Sequence, residues 1–369
     1  MTNITDVLII GGGAAGCAAA YFLSKNKVNV TLVEREGIAS QASGYNAGGL
    51  NPMQGVGIPG PISALAKESF KMHKAFSSEL QEESGVKFHP APVDMIDVAF
   101  HESDISDMSI TKDIFDAVEG FSAQWLESSE LLKLEPNINP QAIKGLISKG
   151  NACLSGFEFT TALFKASEHM GASLLIGEAT EVILNGDKTI GVIINGEPVY
   201  CGALIIATGP WSVEAESWLN ISIPIRPVKG EIVRIKPQTP LAHDFSGTGA
   251  TLYHRANGLV WVGATETEEG FNKEPTTSAK DKLLGSAYKL MPSLKDAEIV
   301  KHTACLRPIT VDGLPIIGNA PGWENVYLAT GAGRKGILLG PGIGKAIADL
   351  ITLGKTDMSV DQFTPDRFS

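Results

Sequence analysis

The chain has no run of basic residues, no closely paired cysteines and no apolar stretch of about 18 residues free of glycine or charge. Each absence closes off a class of protein. With a net charge of -11 and no basic cluster, nucleic acid and anionic membrane surfaces are disfavoured as partners. The four cysteines, Cys17, Cys153, Cys201 and Cys305, are scattered and form no C-x-x-C pair, which argues against a metal site or a disulfide framework and fits a reducing compartment. The first strand begins almost at once, leaving no room for the basic segment of a signal peptide. The expectation is a cytoplasmic protein with no transmembrane segment.

What is present is glycine in pattern. Asp6 to Glu34 reads DVLIIGGGAAGCAAAYFLSKNKVNVTLVE. The β-branched run Val7 to Ile10 predicts a strand buried on both faces of a parallel sheet. Gly11, Gly13 and Gly16 follow at the spacing G-x-G-x-x-G. Gly11 permits the tight turn, Gly13 lets the backbone approach a pyrophosphate, and Gly16 lets the next helix pack closely on the strand. A helix over Ala14 to Lys25 then aims its N-terminal N–H groups at the phosphates. Asn29 to Val33 is the second strand, and the carboxylate of Glu34 is placed to accept bonds from ribose hydroxyls. Strand, helix and acid agree on a dinucleotide site and leave NAD and FAD both open.

At 369 residues the chain is long enough for two domains with a large core. After Glu34 comes a loop rich in Gly, Ser, Asn and Pro. In it Gln41 and Ser43 are candidates to bond phosphate or ribitol oxygens, and Ala47, Gly48 and Gly49 let a flat ring lie against the backbone. A helix spans Ser63 to Gly85, and its His73, like His89 beyond it, reads as a packing or surface residue. The alternation from Val86 to Phe100 suggests strands of a different sheet. Residues 101 to 140 read as mostly helical, including Ala123 to Leu134. Thr160 to Gly171 is helical, and Asn185-Gly186-Asp187 marks a hairpin. Ala203 to Ala207 is a second buried parallel strand running into Thr208-Gly209, so the first sheet is re-entered and its domain is discontinuous. Residues 1–85, 151–224 and 306–369 are assigned to it, and 86–150 and 225–305 to a second domain.

Two further stretches carry candidates, one in each domain. Thr251 to Thr265 reads as one long strand, with Thr251, Tyr253 and Arg255 on one face and Leu252 and His254 on the other. Near the C-terminus, a glycine-tolerant helix begins at Gly336, and the amides of Gly336, Ile337 and Leu338 can stabilise negative charge on a bound ring. Arg307 and Arg334 flank this region. Each is a candidate clamp for a carboxylate through two parallel bonds, the alternative being a structural ion pair with an acid such as Asp312.

Taken together, GGGAAG with Glu34, ATGPWS from Ala207, PVKGE, LRPITVDGLPIIG and GAGRKGILLGPGIGKAIADLI resemble the D-amino-acid oxidase (DAO) family of FAD-dependent oxidoreductases, most nearly its glycine-oxidase branch, with the sarcosine oxidases and D-amino-acid dehydrogenases more distant. The resemblance implies an α/β fold: a Rossmann-like FAD-binding domain, plus a second domain whose mostly antiparallel sheet covers the flavin. It implies hydride removal from a C–N bond beside a carboxylate, giving an imine that water hydrolyses. Glycine, sarcosine, another N-substituted glycine or a D-amino acid fits. The implied cofactor contacts run through Gly11, Gly13, Ala14, Ala15 and Gly16; Glu34 and Arg35; Gln41, Ala42 and Ser43; Ala47 to Leu50; Thr180; Ala207, Thr208, Gly209 and Trp211; and Gly336 to Leu338.

The family's carboxylate-binding arginine falls on Arg307, and a second site arginine on Arg334. Thr251 stands where glycine oxidases present a tyrosine to the substrate, with Tyr253 two residues on. The cysteine that carries a covalent flavin in some members falls on Cys305, for which a noncovalent buried thiol is the preferred reading. Trp261 stands where an oxygen-activating lysine occurs, so oxygen and a quinone or other electron carrier are both open as acceptor. The resemblance leaves room for a homo-oligomer. Alternatives are an FAD-dependent 2-hydroxyacid dehydrogenase with His254 as base, and a noncatalytic flavin-binding subunit of a larger dehydrogenase complex.

Overall fold

The aliphatic run near the N-terminus forms β1 (Ile4–Ile10), and nearly every side chain in its second half is withdrawn from water. The structure is a computed structural model and describes residues 4–369. It divides into two compact units, Met1–His89 with Leu154–Val228 and Leu306–Ser369, and Pro90–Cys153 with Lys229–Cys305.

In the first unit β1 is flanked by β2 (Val30–Glu34), β3 (Ser173–Ile176), β4 (Glu197–Ile206) and β5 (Val326–Thr330) in the parallel order β3-β2-β1-β4-β5. Leu8, Ile10, Leu204, Ile206 and Leu328 bury one face of this sheet. Four helices pack among themselves: α1 (Ala14–Lys25), α2 (Ser63–Ser84), α3 (Gly156–His169) and α4 (Gly336–Leu353).

The glycines of α4 explain its place. A Cβ on Gly340 would lie 3.0 Å from Ala14 Cβ, and one on Gly344 2.5 Å from Ala18 Cβ. Both pairs step by four residues in the same direction, so α1 and α4 run parallel with backbones nearly touching. On another side, a Cβ on Gly342 would lie 2.3 Å from Ser69 Oγ of α2. Because Gly340 meets the first residue of α1, α4 starts about 6 Å ahead of it. Gly333–Leu353 is long and apolar enough by length and composition to cross a membrane, but its most apolar part is 67% buried within the fold, as in a core helix.

The second unit holds a sheet in the order Glu298–Thr310, Ile225–Lys236, Val260–Gly263, Ala250–His254, Asp244–Gly247, Met95–Ala99, Lys144–Lys149, Ser122–Glu127. From Ile225–Lys236 onward its neighbouring strands pair antiparallel, except that Asp244–Ser246 runs parallel to Met95–Asp97. Val233, Val262, Leu252 and Phe245 form one rung of its core face.

Two sequence expectations change. The long strand over 251–265 is a hairpin, because the chain reverses at Arg255–Leu259, closed by Arg255 N–H to Leu259 O (2.9 Å) with Gly258 in the left-handed region. The helix over 123–134 starts only at Ser128, since Ser122–Glu127 pairs with Lys144–Lys149 and that ladder overrides local helix propensity.

Candidate dinucleotide site

The glycine motif does what its spacing requires. Gly11 has φ +113°, and a Cβ there would stand 2.3 Å from Ala207 O. One on Gly16 would stand 2.0 Å from Gly11 O, so strand and helix meet backbone to backbone. The same turn therefore receives Ala207, whose N–H donates to Ile10 O (2.8 Å).

Beyond Ala207 a bonded chain ties the carboxyl ends of β4 and β5. Ser212 Oγ pairs with Thr208 Oγ1 (3.1 Å) and donates to Thr330 Oγ1 (2.9 Å), which donates to Gly209 O (3.1 Å).

Around α1 the charges are arranged for an anion. The helix has no acid in its first turn, and its N-cap is Gly13, which has no side chain to offer. Ser43 Oγ accepts the Ala14 N–H (3.0 Å), leaving its own O–H to donate outward, and half-buried Ala15 and Ala42 lie beside these residues in sequence. Glu34 accepts the N–H groups of Gly12 (2.7 Å), Arg35 (2.8 Å) and Glu36 (3.1 Å). A carboxylate has about four lone-pair sites, so one remains for a hydroxyl. Gln41 donates one amide hydrogen to Glu36 (2.7 Å), which leaves its second amide hydrogen and its carbonyl oxygen for other partners.

Further along, the Arg35 guanidinium lies 4.9 Å from the Trp211 ring and 3.5 Å from Glu178, with exposed Thr180 two residues on. A Cβ on Gly48 would sit 1.8 Å from Leu154 O, so the backbone of a neighbouring segment already excludes a side chain there. Gly49, between half-buried Ala47 and buried Leu50 by two positions and one, has open space at its Cβ.

The second helix start repeats the theme. α4 also lacks an acid in its first turn, and no side chain caps it. Its N-cap residue, Lys335, was not singled out by sequence reasoning, although a lysine in a glycine turn before an apolar helix is a visible signal. Its Nζ donates to Asn51 O (2.9 Å) and Gln54 O (2.5 Å), and burial, with Arg334 beside it, lowers its amine to about 8. Arg334 itself is exposed on the turn Gly333–Lys335. Arg307 is half-buried on the strand Glu298–Thr310, and buried Cys305 lies two residues before it. Asp312, the structural partner considered for these arginines, is bonded instead by Arg367 (2.8 Å).

In the second unit, register places Thr251 beside Ser246 and Ser246 beside Asp97, with Tyr253, Trp261 and Arg234 forming the neighbouring rung. All six lie on the face opposite the core rung. Burial pushes the Asp97 carboxyl up to about 6 against a bond from Ser246. The Arg234 and Arg255 guanidiniums lie 4.0 and 5.3 Å from the Trp261 ring. His254 gives both its backbone N–H and Nδ1–H to Asp244 Oδ1, each at 2.8 Å. Asp97, Arg234 and Asp244 were invisible from sequence because only strand pairing brings them together. Among the described residues, no cluster of His, Cys, Asp or Glu could hold a metal ion.

Residues 6–350 match the family model described as FAD dependent oxidoreductase, DAO. The chain is 30% identical to a glycine oxidase from Geobacillus kaustophilus (strain HTA426), over all of this chain and 98% of that one. A glycine oxidase from Pseudomonas aeruginosa is 28% identical over 94% of each chain. The crystal structure of glycine oxidase from Geobacillus kaustophilus superposes with a TM-score of 0.92 at 27% identity, covering 98% of both chains. A match of this extent assigns the family: the chain belongs to the DAO family of FAD-dependent oxidoreductases.

Proposed function

We propose that this chain oxidises the C–N bond of a small amino acid or N-substituted glycine, with FAD as the hydride acceptor and water hydrolysing the released imine. The observation that carries the reading is the pair of parallel helix starts, α1 and α4, neither neutralised by an acid nor capped by its own N-cap side chain. Two such positive ends, staggered along one direction, suit an extended dinucleotide with anionic character at both its pyrophosphate and its ring.

The residues fit that group. Gly13, Ala14, Ala15 and Ser43 would hold the pyrophosphate, Glu34 and Arg35 with Trp211 and Thr180 the adenosine end, and Gly336, Ile337 and Leu338 the ring. Gly49, open at its Cβ, leaves room for the ring. Binding is noncovalent in this reading, with Cys305 a buried thiol.

Arg307 would bind the substrate carboxylate, with Arg334, Thr251 and Tyr253 as further substrate contacts, so that orientation of the Cα–H supplies most of the catalysis. Relatives named glycine oxidase support this choice of substrate class. A specific observation favours one second reading. Asp244 fixes the His254 tautomer with Nε2 as the acceptor nitrogen, the form a base needs for a 2-hydroxyacid. Location in the cytoplasm and a choice between oxygen and a quinone belong to the same proposal.

Arg307→Ala tests it. Losing a buried contact to a charged group costs about 2–5 kcal/mol, so KM for an amino-acid substrate should rise roughly 30-fold or more while FAD stays bound. Unchanged KM would remove the clamp.

A further inference from the structure

We infer that His73 is a positioning residue for the flavin-ring end of the site, its Nε2–H replacing the backbone hydrogen bond that Pro341 deletes from the first turn of α4. The inference rests on the reading that the first amides of α4 meet the cofactor ring.

In an α-helix the carbonyl of Ile337 should accept the N–H of residue 341. That residue is Pro341, which has no N–H and whose ring crowds the carbonyl four residues back. A buried carbonyl left in that state is costly. His73, 2% exposed on α2 and 264 residues away in sequence, reaches it: Nε2 lies 3.0 Å from Ile337 O and 3.2 Å from Leu338 O. Both partners only accept, so Nε2 carries the hydrogen. Nδ1 is buried without a partner, and burial lowers the imidazole to about 4, so the ring is neutral. Phe159 of α3, 4.8 Å between ring centres, holds it in place.

The consequence for the site follows from peptide planarity. The Ile337 carbonyl and the Leu338 N–H belong to one rigid peptide unit. Fixing the carbonyl on His73 fixes the direction of an amide assigned to the ring. The neighbouring peptide, through Leu338 O, is held by the same nitrogen.

The test is a double-mutant cycle on cofactor affinity, with ADP as a probe that occupies only the α1 end. In His73→Leu the FAD dissociation constant should rise about tenfold or more while that for ADP stays within about twofold. His73→Gln, which keeps an N–H of similar reach, should lie within about threefold of wild type. Pro341→Ala returns an N–H to Ile337, and in that background His73→Leu should cost less than about threefold.

Equal losses of FAD and ADP in His73→Leu, or the same cost with and without Pro341, would overturn the inference. If His73→Leu does not fold, the inference requires that the double variant does, and failure of both refutes it. A wild-type chain that binds FAD no more tightly than ADP would sink the ring-end reading as well. A wild type that prefers FAD beside a silent His73→Leu would sink only the role of His73.

Discussion

The starts of α1 and α4, to which the proposal gives the same task, are held in different ways. The bonds to the first amides at the α1 start come from within about thirty residues of it: Ser43 takes the Ala14 N–H and Glu34 the Gly12 N–H, while Gly16 packs on Gly11 O. The α4 start is assembled from afar, by Ala14 and Ala18 under its glycines, Asn51 and Gln54 under Lys335, and His73 under Ile337. A local device is robust and readable. A distributed one couples the α4 start, the proposed ring end, to the packing of the whole helical layer.

That contrast can be broken most severely at Gly344, where α1 and α4 touch. A Cβ there would lie 2.5 Å from both backbone and side-chain atoms of Ala18, which cannot move aside as a flexible chain end would. Gly344→Val should therefore cost about 3 kcal/mol or more and abolish FAD retention along with it, read as a fall in Tm and loss of the flavin spectrum. Full cofactor retention would show that the helices separate without consequence.

Next in size is the acid sensitivity that the buried histidine builds into the distributed start. His73 is held at about 4 in the fold and titrates near 6.5 when unfolded. Above the unfolded value both states are neutral and stability is flat. Between about 6.5 and 4 the unfolded chain binds the extra proton, so stability falls as pH falls, by up to about 3 kcal/mol from this group. Urea unfolding at stepped pH should show the slope, and His73→Leu should remove that share of it. An unchanged slope would mean the acid response comes from other groups.

The local start should yield a smaller, cofactor-specific effect. Glu34→Ala frees three backbone N–H groups and the remaining lone pair, and should weaken FAD binding by about 1–3 kcal/mol with little change in fold. Undiminished affinity would show that the carboxylate serves only the loop.

What was legible in the sequence divides along the same line. The first strand, the glycine motif, α1, the re-entry through Ala207 and the helix from Gly336 were readable because periodicity and glycine spacing are local signals. Gly48 carries a constraint that no local pattern announces, since it comes from Leu154 O far along the chain. His73 looked like an ordinary packing residue because nothing near it in sequence announces Pro341. Asp97, Arg234 and Asp244 gained meaning only through strand register, and the strand Ser122–Glu127 was read as helix because its partner lies twenty residues downstream.

The most direct measurement of the whole account is anaerobic. The flavin-loaded chain is mixed with glycine, sarcosine, D-amino acids, proline and 2-hydroxyacids in turn, and the loss of flavin colour is followed. The account predicts bleaching by an amine that carries a carboxylate, and the rate of recolouring in air then separates oxygen from another carrier as acceptor. Bleaching by a 2-hydroxyacid alone would transfer the chemistry to His254, and a flavin that dithionite reduces but no member of the panel does would contradict the proposal outright.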